Sequence, residues 1–171
     1  INATESWVVR RQFLRLANSN LGRVVADIIS AHSAAAKDEL AERVVAHLAR
    51  LDVTSTYWPG DAEIRMSLRS EPAYRRFPRA RLRMFLEAIE NQLRSETGQP
   101  QIERASFPIE HVLPQKWREN WAVDTPEDQE ARQEHVHRLG NLTLLTSGLN
   151  SKLSNGAWAN KRDALMEHNT I

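Results

Sequence analysis

The stretch IEHVLPQ, Ile109 to Gln115, places an acid directly before a histidine, between apolar residues and shortly ahead of a proline. In a regular strand, neighbouring side chains point to opposite faces of the sheet, so an adjacent acid and imidazole do not normally serve one site. Either Glu110 and His111 are unrelated, or the strand ends here. In the second case, the turn towards Pro114 lets both side chains reach one small object.

The segment TPEDQEARQEHVHRLG, residues 125–140, is typical of a helix. Thr125 is the predicted N-cap, proline occupies the first helical position, and acids fill the first turn. Gly140 is the predicted terminator of this helix, because glycine readily adopts the conformation that ends helices.

The remaining segments complete a small motif around this helix. NLTLLT, residues 141–146, predicts a short strand, and SGLNSKLSN, residues 147–155, predicts a loop. GAWANKRDALMEH, residues 156–168, predicts a closing helix. The predicted order is therefore strand, helical insertion, strand, loop and helix.

The first hundred residues are predicted to be nearly all helix. Apolar residues recur at helical spacing from Trp7 to Leu16 and from Val24 to Ile29. Three further helices are predicted within the segments 38–51, 58–70 and 77–98. The sequence thus indicates a mainly α fold, with a helical region over residues 1–98 and a compact motif over residues 99–171.

Composition excludes several classes of protein. The 171 residues carry a formal net charge of only +1 and contain no cysteine, which excludes disulfides, zinc ribbons and thiolate nucleophiles. No apolar run reaches the length of a membrane span, and no segment resembles a signal peptide. Because the chain begins at Ile1 and runs at once into an amphipathic segment, we expect a fragment from the C-terminal end of a longer protein.

Three strings of the second half occur in order: IEHVLPQKW (109–117), HRLGNLTLL (137–145) and LSNGAWANKRDAL (153–165). Together they resemble the C-terminal nuclease domain of GmrSD-type restriction proteins, which attack modified phage DNA, a group that includes the SspE proteins. The acid–His pair and the two asparagines that follow it more generally resemble the HNH, or ββα-metal, nucleases. The resemblance implies a helical N-terminal region and a ββα-metal motif with a helical insertion between its strands.

The resemblance implies a phosphodiester hydrolase, and the chemistry of the residues agrees with it. His111 is the predicted general base, since an imidazole can take a proton from water near neutral pH. Glu110 and Asn150 are predicted to supply oxygens to one Mg²⁺ or Mn²⁺, a hard cation that keeps several waters. Asn141 is, by the same resemblance, a brace for the loop that carries His111. Glu110 stands where many HNH enzymes have aspartate, and this longer side chain changes metal placement slightly.

Contacts with DNA phosphates are predicted from two places. Lys161 and Asn155 are candidates near the last helix. The alternative for Lys161 is balance of charge on the helix surface, and the alternative for Asn155 is a turn or capping role. Between Arg65 and Arg94 there are eight arginines against three glutamates, and arginine suits bidentate phosphate contact. The alternative is a solvated helix face. The predicted contacts in this stretch are Arg75, Arg76 and Arg79, so the helical region over residues 1–98 is expected to position DNA.

The predicted function is a metal-dependent endonuclease or nickase domain of a phage-defence restriction protein that acts on double-stranded DNA. The family implies an N-terminal sensor or NTPase domain of the same protein, which this sequence does not show, and a bacterial or archaeal cytoplasm. The alternative is a non-catalytic DNA-binding or assembly module that retains the nuclease fold. Such a module has no need of Glu110, His111 and Asn150 together.

Overall fold

Helices dominate the computed structural model, which describes residues 2–104 and 107–168. In these ranges the helices are α1 (Asn2–Phe13), α2 (Leu21–His32), α3 (Leu40–Ala49), α4 (Asp61–Ser70), α5 (Ala73–Arg76), α6 (Arg79–Glu96), α7 (Pro126–His135), α8 (Ser147–Leu153) and α9 (Trp158–His168). Two short strands, β1 (Ile109–His111) and β2 (Leu142–Leu144), and two 3₁₀ turns, Trp117–Glu119 and Leu139–Asn141, complete the described structure. The mainly α fold with a small ββα motif is confirmed.

The chain divides into two compact units, Ile1–Ser67 and Leu68–Ile171. The core of the first unit is formed by α1, α2 and α3, whose apolar stripes bring together Trp7, Val24, Ile28 and Leu48. The predicted division at residues 98 and 99 separates regions by proposed role rather than by packing, and it stays a prediction.

The second unit is built around the two strands. They pair antiparallel, with Ile109 opposite Leu144, Glu110 opposite Thr143 and His111 opposite Leu142. Helix α6 packs on β2, and α8 packs on α9. The core between α8 and α9 consists of Leu145, Leu149, Leu153 and Ala164. The short sheet therefore has a helical support on which its end residues can be held.

The predicted loop over residues 147–155 is wrong, because most of it is helix α8. The Thr146 hydroxyl accepts a hydrogen bond from the Leu149 amide at 3.3 Å and so caps the helix. Leu149 and Leu153 lie four residues apart and are both buried, which places them on one helical face. Capping and burial outweigh the glycine, serines and asparagine that suggested a loop.

The helical insertion also ends earlier than predicted. Helix α7 begins as expected, with the Thr125 hydroxyl accepting a hydrogen bond from the Asp128 amide at 3.1 Å. It ends at His135, and Gly140 lies in the following 3₁₀ turn instead of terminating the helix. Strand β2 accordingly begins at Leu142, so Asn141 directly precedes the strand. No helix in the described part of the chain is long and apolar enough to cross a membrane.

Candidate active site

The end of β1 brings Glu110 and His111 to one cavity. The strand stops at His111, and the next amide, that of Val112, donates a hydrogen bond to the Asn141 carbonyl at 2.9 Å. The chain then turns through the buried Pro114, which breaks the alternation of side chains. Of the two interpretations of the acid–His pair, the geometry favours the one in which both residues serve one site, because both line the same cavity.

The cavity has a volume of about 290 Å³ and a predominantly polar lining. It is lined by Glu110, His111, Pro114, Gln115, Asn150, Ser151, Ser154 and Asn155. The end of β1 supplies the acid and the imidazole, and α8 with the residues after it supplies the opposite side. The structure thus brings together four of the predicted site residues, which are far apart in sequence.

Lys161 is buried and contacts two residues of this site, Glu110 and His111. Its side chain is 1% exposed, and its ammonium donates to Glu110 Oε1 at 2.7 Å and to the His111 carbonyl at 2.9 Å. We predicted a surface lysine that contacts phosphate, and the structure gives Lys161 an interior position instead. The reason is charge pairing, since a buried ammonium needs a carboxylate and further acceptors to offset its lost hydration.

Asn141 fastens the loop that follows His111. Its Oδ1 accepts a hydrogen bond from the Leu113 amide at 2.7 Å. Its Nδ2 donates to the carbonyls of Leu113 at 2.9 Å and Val136 at 2.8 Å. One side chain therefore joins the turn after β1 to the end of the helical insertion, which is the placement that a bracing role requires.

His111 is almost fully buried, with 4% of its surface exposed. Burial, and after it the positive charges of His137, Lys161 and Arg79, lower the pKa of His111 from 6.5 to about 4. Its Nε2 atom is buried without a hydrogen-bond partner among the described residues. At neutral pH the imidazole is uncharged, and a nitrogen of this ring can accept a proton.

The rings of Tyr74 and His137 form an aromatic wall against the His111 ring, and no sequence pattern predicted this grouping. The Tyr74 ring lies 4.3 Å from the His111 ring, centroid to centroid, with an interplanar angle of 70°. His137 stacks on Tyr74 at 5.7 Å and meets His111 edge-on at 5.5 Å. No local pattern in the sequence marks Tyr74 as a residue of this site.

Asn150 carries a second oxygen that could bind a cation. It lies in the middle of α8, lines the cavity, and its Oδ1 is buried without a hydrogen-bond partner in the described part of the chain. A carboxylate from Glu110 and an amide oxygen from Asn150 are donors that Mg²⁺ or Mn²⁺ accepts, with waters completing the coordination. Among residues 2–104 and 107–168, no three histidine, cysteine, aspartate or glutamate side chains group as metal ligands.

The arginine-rich stretch is more engaged with the protein itself than predicted. Arg76 forms an ion pair with Glu71, and Arg94 is buried against Glu90 with Nε 2.7 Å from Oε1. Arg79 lies over the Tyr74 ring, with its guanidinium carbon 3.5 Å from the ring centroid. Arg75 and Arg79 are exposed, and contact with DNA by these residues stays a prediction.

The cavity, its brace and its aromatic wall all fall inside one region of family similarity. The model of the family described as GmrSD restriction endonucleases, C-terminal domain, matches residues 58–171. No curated protein and no solved structure gives a significant match. The matched region contains both strands, helices α4 to α9 and every residue that lines the cavity.

Proposed function

The chain belongs to the family of C-terminal domains of GmrSD restriction endonucleases, and from this premise we propose that it is a metal-dependent DNA endonuclease of the HNH type. Family membership supports a nuclease module that acts on DNA. The observation that carries the finer proposal is the cavity in which Glu110, His111 and Asn150 meet. An acid, an uncharged imidazole and an amide oxygen on one polar cavity suit hydrolysis of a phosphodiester.

His111 accepts the proton of the attacking water in this proposal. The low pKa keeps the imidazole unprotonated, and therefore competent as a base, through the neutral range. The negative charge of a bound phosphodiester raises the pKa of a nearby imidazole, which improves its strength as a base once substrate is present. A positioned general base contributes about 10² to 10⁴ fold to the rate.

Glu110 and Asn150 would hold the cation, Mg²⁺ or Mn²⁺. The unpartnered Oδ1 of Asn150 and the carboxylate of Glu110 fit such an ion by the nature of their donor atoms. When bound, the cation supplies neutralisation of phosphate charge and makes a bound water more acidic. Lys161 keeps the Glu110 carboxylate in place through Oε1, and Asn141 keeps the loop after His111 in place.

Contact with double-stranded DNA would come from one cavity residue and from exposed arginines of the same compact unit. Asn155 lines the cavity, and Arg75 and Arg79 are exposed in the same compact unit. Because most of the attraction between a protein and DNA comes from phosphate contacts, these side chains would fix the register of the strand to be cut. A sensor or NTPase domain of the same protein, as expected for a phage-defence restriction protein in the cytoplasm of a bacterium or archaeon, would select the modified DNA.

One observation favours a second candidate, a DNA-binding or assembly module without catalysis. The carboxylate of Glu110 already pairs with Lys161, and His111 is only 4% exposed. A module that uses these groups only for folding would show the same contacts. It requires that the unpartnered Nε2 of His111 and Oδ1 of Asn150 have no role.

A plasmid assay separates the two candidates. Supercoiled plasmid is incubated with the wild type, His111→Ala and His135→Ala, each with Mg²⁺, Mn²⁺ or EDTA. His135 is an exposed histidine outside the cavity and serves as the matched control. We expect open-circle or linear product from the wild type and His135→Ala with metal only, and none from His111→Ala. Equal cutting by all three proteins, or a wild type that binds DNA and never cuts it, contradicts the nuclease proposal.

A further inference from the structure

We propose that Tyr74 is a positioning residue for His111, and that Arg79 and His137 in turn hold the Tyr74 ring. This inference rests on the proposed role of His111 as a base. Tyr74, Arg79 and His137 lie in the same compact unit as His111 and outside the lining of the cavity.

The His111 ring is restrained by ring contacts. Its backbone is fixed, because strand pairing places it opposite Leu142 and its carbonyl accepts a hydrogen bond from Lys161. Its Nε2, however, has no hydrogen-bond partner among the described residues. The nearest ring is that of Tyr74, at 4.3 Å between centroids and 70° between planes, a T-shaped contact that is favourable for aromatic rings. Tyr74 therefore restricts how the imidazole can rotate.

Tyr74 is itself held from two sides. The Arg79 guanidinium carbon lies 3.5 Å from the ring centroid, a cation–π contact, and Arg79 Nη1 also donates to the Tyr74 carbonyl. On another side, His137 stacks on Tyr74 at an interplanar angle of 14°. The Tyr74 amide donates to the His137 carbonyl at 3.0 Å, which ties the backbone of α5 to the segment after α7. The ring is thus fixed by backbone and side-chain contacts together.

A structural role alone accounts poorly for these contacts. Tyr74 is only partly buried and Arg79 is exposed, and neither belongs to the buried hydrophobic core of the described residues. Tyr74 instead contacts the ring of the proposed base itself. Since a misplacement of about 1 Å can cost about 100-fold in rate, a ring that limits imidazole rotation affects turnover more than substrate binding.

The test compares Tyr74→Leu, which removes the ring, with Tyr74→Phe, which keeps it. Tyr57→Leu is the matched control, because Tyr57 is the other tyrosine of the chain and lies in the first compact unit. Plasmid cleavage gives kcat and KM for each variant. The NMR signals of the His111 imidazole, in protein labelled at histidine, report the ring-current effect of Tyr74 without any need for cleavage.

We expect Tyr74→Leu to lower kcat by about 10- to 100-fold with KM changed less than about threefold, whereas Tyr74→Phe stays within about threefold of the wild type. The His111 signals should move in Tyr74→Leu and not in Tyr57→Leu. Arg79→Gln loosens the ring without removing it and should give an intermediate loss of kcat. Its KM should also rise, because Arg79 is a proposed DNA contact, so only its kcat is compared. It replaces Tyr74→Leu if that variant does not fold.

Wild-type kcat in Tyr74→Leu, or in Arg79→Gln if that variant replaces it, overturns the positioning role and leaves the nuclease proposal standing, provided that His111→Ala is inactive. Unmoved His111 signals in Tyr74→Leu overturn it as well. Equal cleavage by the wild type and His111→Ala overturns the nuclease proposal, and the role of Tyr74 falls with it.

Discussion

Replacing Lys161 by methionine should destabilise the second unit strongly, although the change only shortens and discharges one side chain. The lysine is 1% exposed and forms two hydrogen bonds, to Glu110 Oε1 and to the His111 carbonyl. Removing one partner of a buried ion pair typically costs about 3–5 kcal/mol. Because the Glu110 side chain is 16% exposed and lines the cavity, its carboxylate can regain some water, and we expect Lys161→Met to cost about 2–3 kcal/mol.

The reverse change should cost more. Glu110→Gln leaves the Lys161 ammonium buried without its counter-charge, for which we expect about 3–5 kcal/mol. In the double variant neither charge is left alone, so its cost should fall below the sum of the single costs by about 2 kcal/mol. Arg162→Met is the control, because Arg162 is adjacent on α9 and pairs with Asp163 at 2.9 Å while 58% exposed. It should cost about 0.5 kcal/mol or less.

Native-state hydrogen exchange at the amides of Val112 and Leu113 measures these costs within the second unit. Both amides are hydrogen-bonded to Asn141, so their exchange reports opening of this region separately from the first unit. All variants are compared in EDTA, which removes any contribution from a bound cation. A cost for Lys161→Met no larger than that for Arg162→Met, or additive costs in the double variant, would refute the reasoning from a buried ion pair.

Four further predictions concern the second unit. The pKa of His111 in the free protein is about 4, so kcat/KM for cleavage should rise as the pH passes about 4 and stay level from about pH 5 to 8, as a pH–rate profile will show. The folded-state pKa of His111 lies below the unfolded value of 6.5, so the unfolded state binds more protons and stability falls as the pH drops from 6.5 to about 4. The loss is about 3 kcal/mol at most, and urea unfolding of His111→Phe should lack this part of the pH dependence. Asn141→Ala should lose about 2–3 kcal/mol and the exchange protection of the Leu113 amide, since three side-chain hydrogen bonds disappear. Thr146→Ala should lower the unfolding free energy by about 1 kcal/mol through loss of the α8 cap, and an unchanged urea midpoint would contradict that assignment.

Local rules were sufficient to predict the elements that depend on neighbours in sequence. The apolar spacing of the early helices and the Thr125 cap both appear as expected. The placement of Asn141 was expected from the family resemblance and not from local rules, and its side chain reaches from directly before β2 back to the turn after His111. For the helices and the Thr125 cap, the deciding pattern lies within one helix, and periodicity or capping chemistry reports it directly.

Residues whose position depends on distant contacts were not predictable in this way. Lys161 stands in a polar helix beside Arg162, and only the Glu110 carboxylate of β1 explains why one is buried and the other exposed. Helix α8 was missed because its stability comes from burial of Leu149 and Leu153, which composition does not show. Tyr74 acquires its place from contacts with His111 and His137, both far along the chain.

The burial of Lys161 also gives a physical reason for the adjacency of Glu110 and His111. The lysine contacts a side-chain oxygen of the first residue and the backbone carbonyl of the second, so one ammonium fixes both at once. Two consecutive residues present these acceptors close enough for a single donor group with three hydrogens. An acid two residues before His111 would point to the same face of the strand as His111. It could not, however, share the Lys161 ammonium with the His111 carbonyl without a change in the strand end. Lys161→Arg should therefore be less stable than the wild type, because a planar guanidinium cannot occupy the same enclosed position as an ammonium.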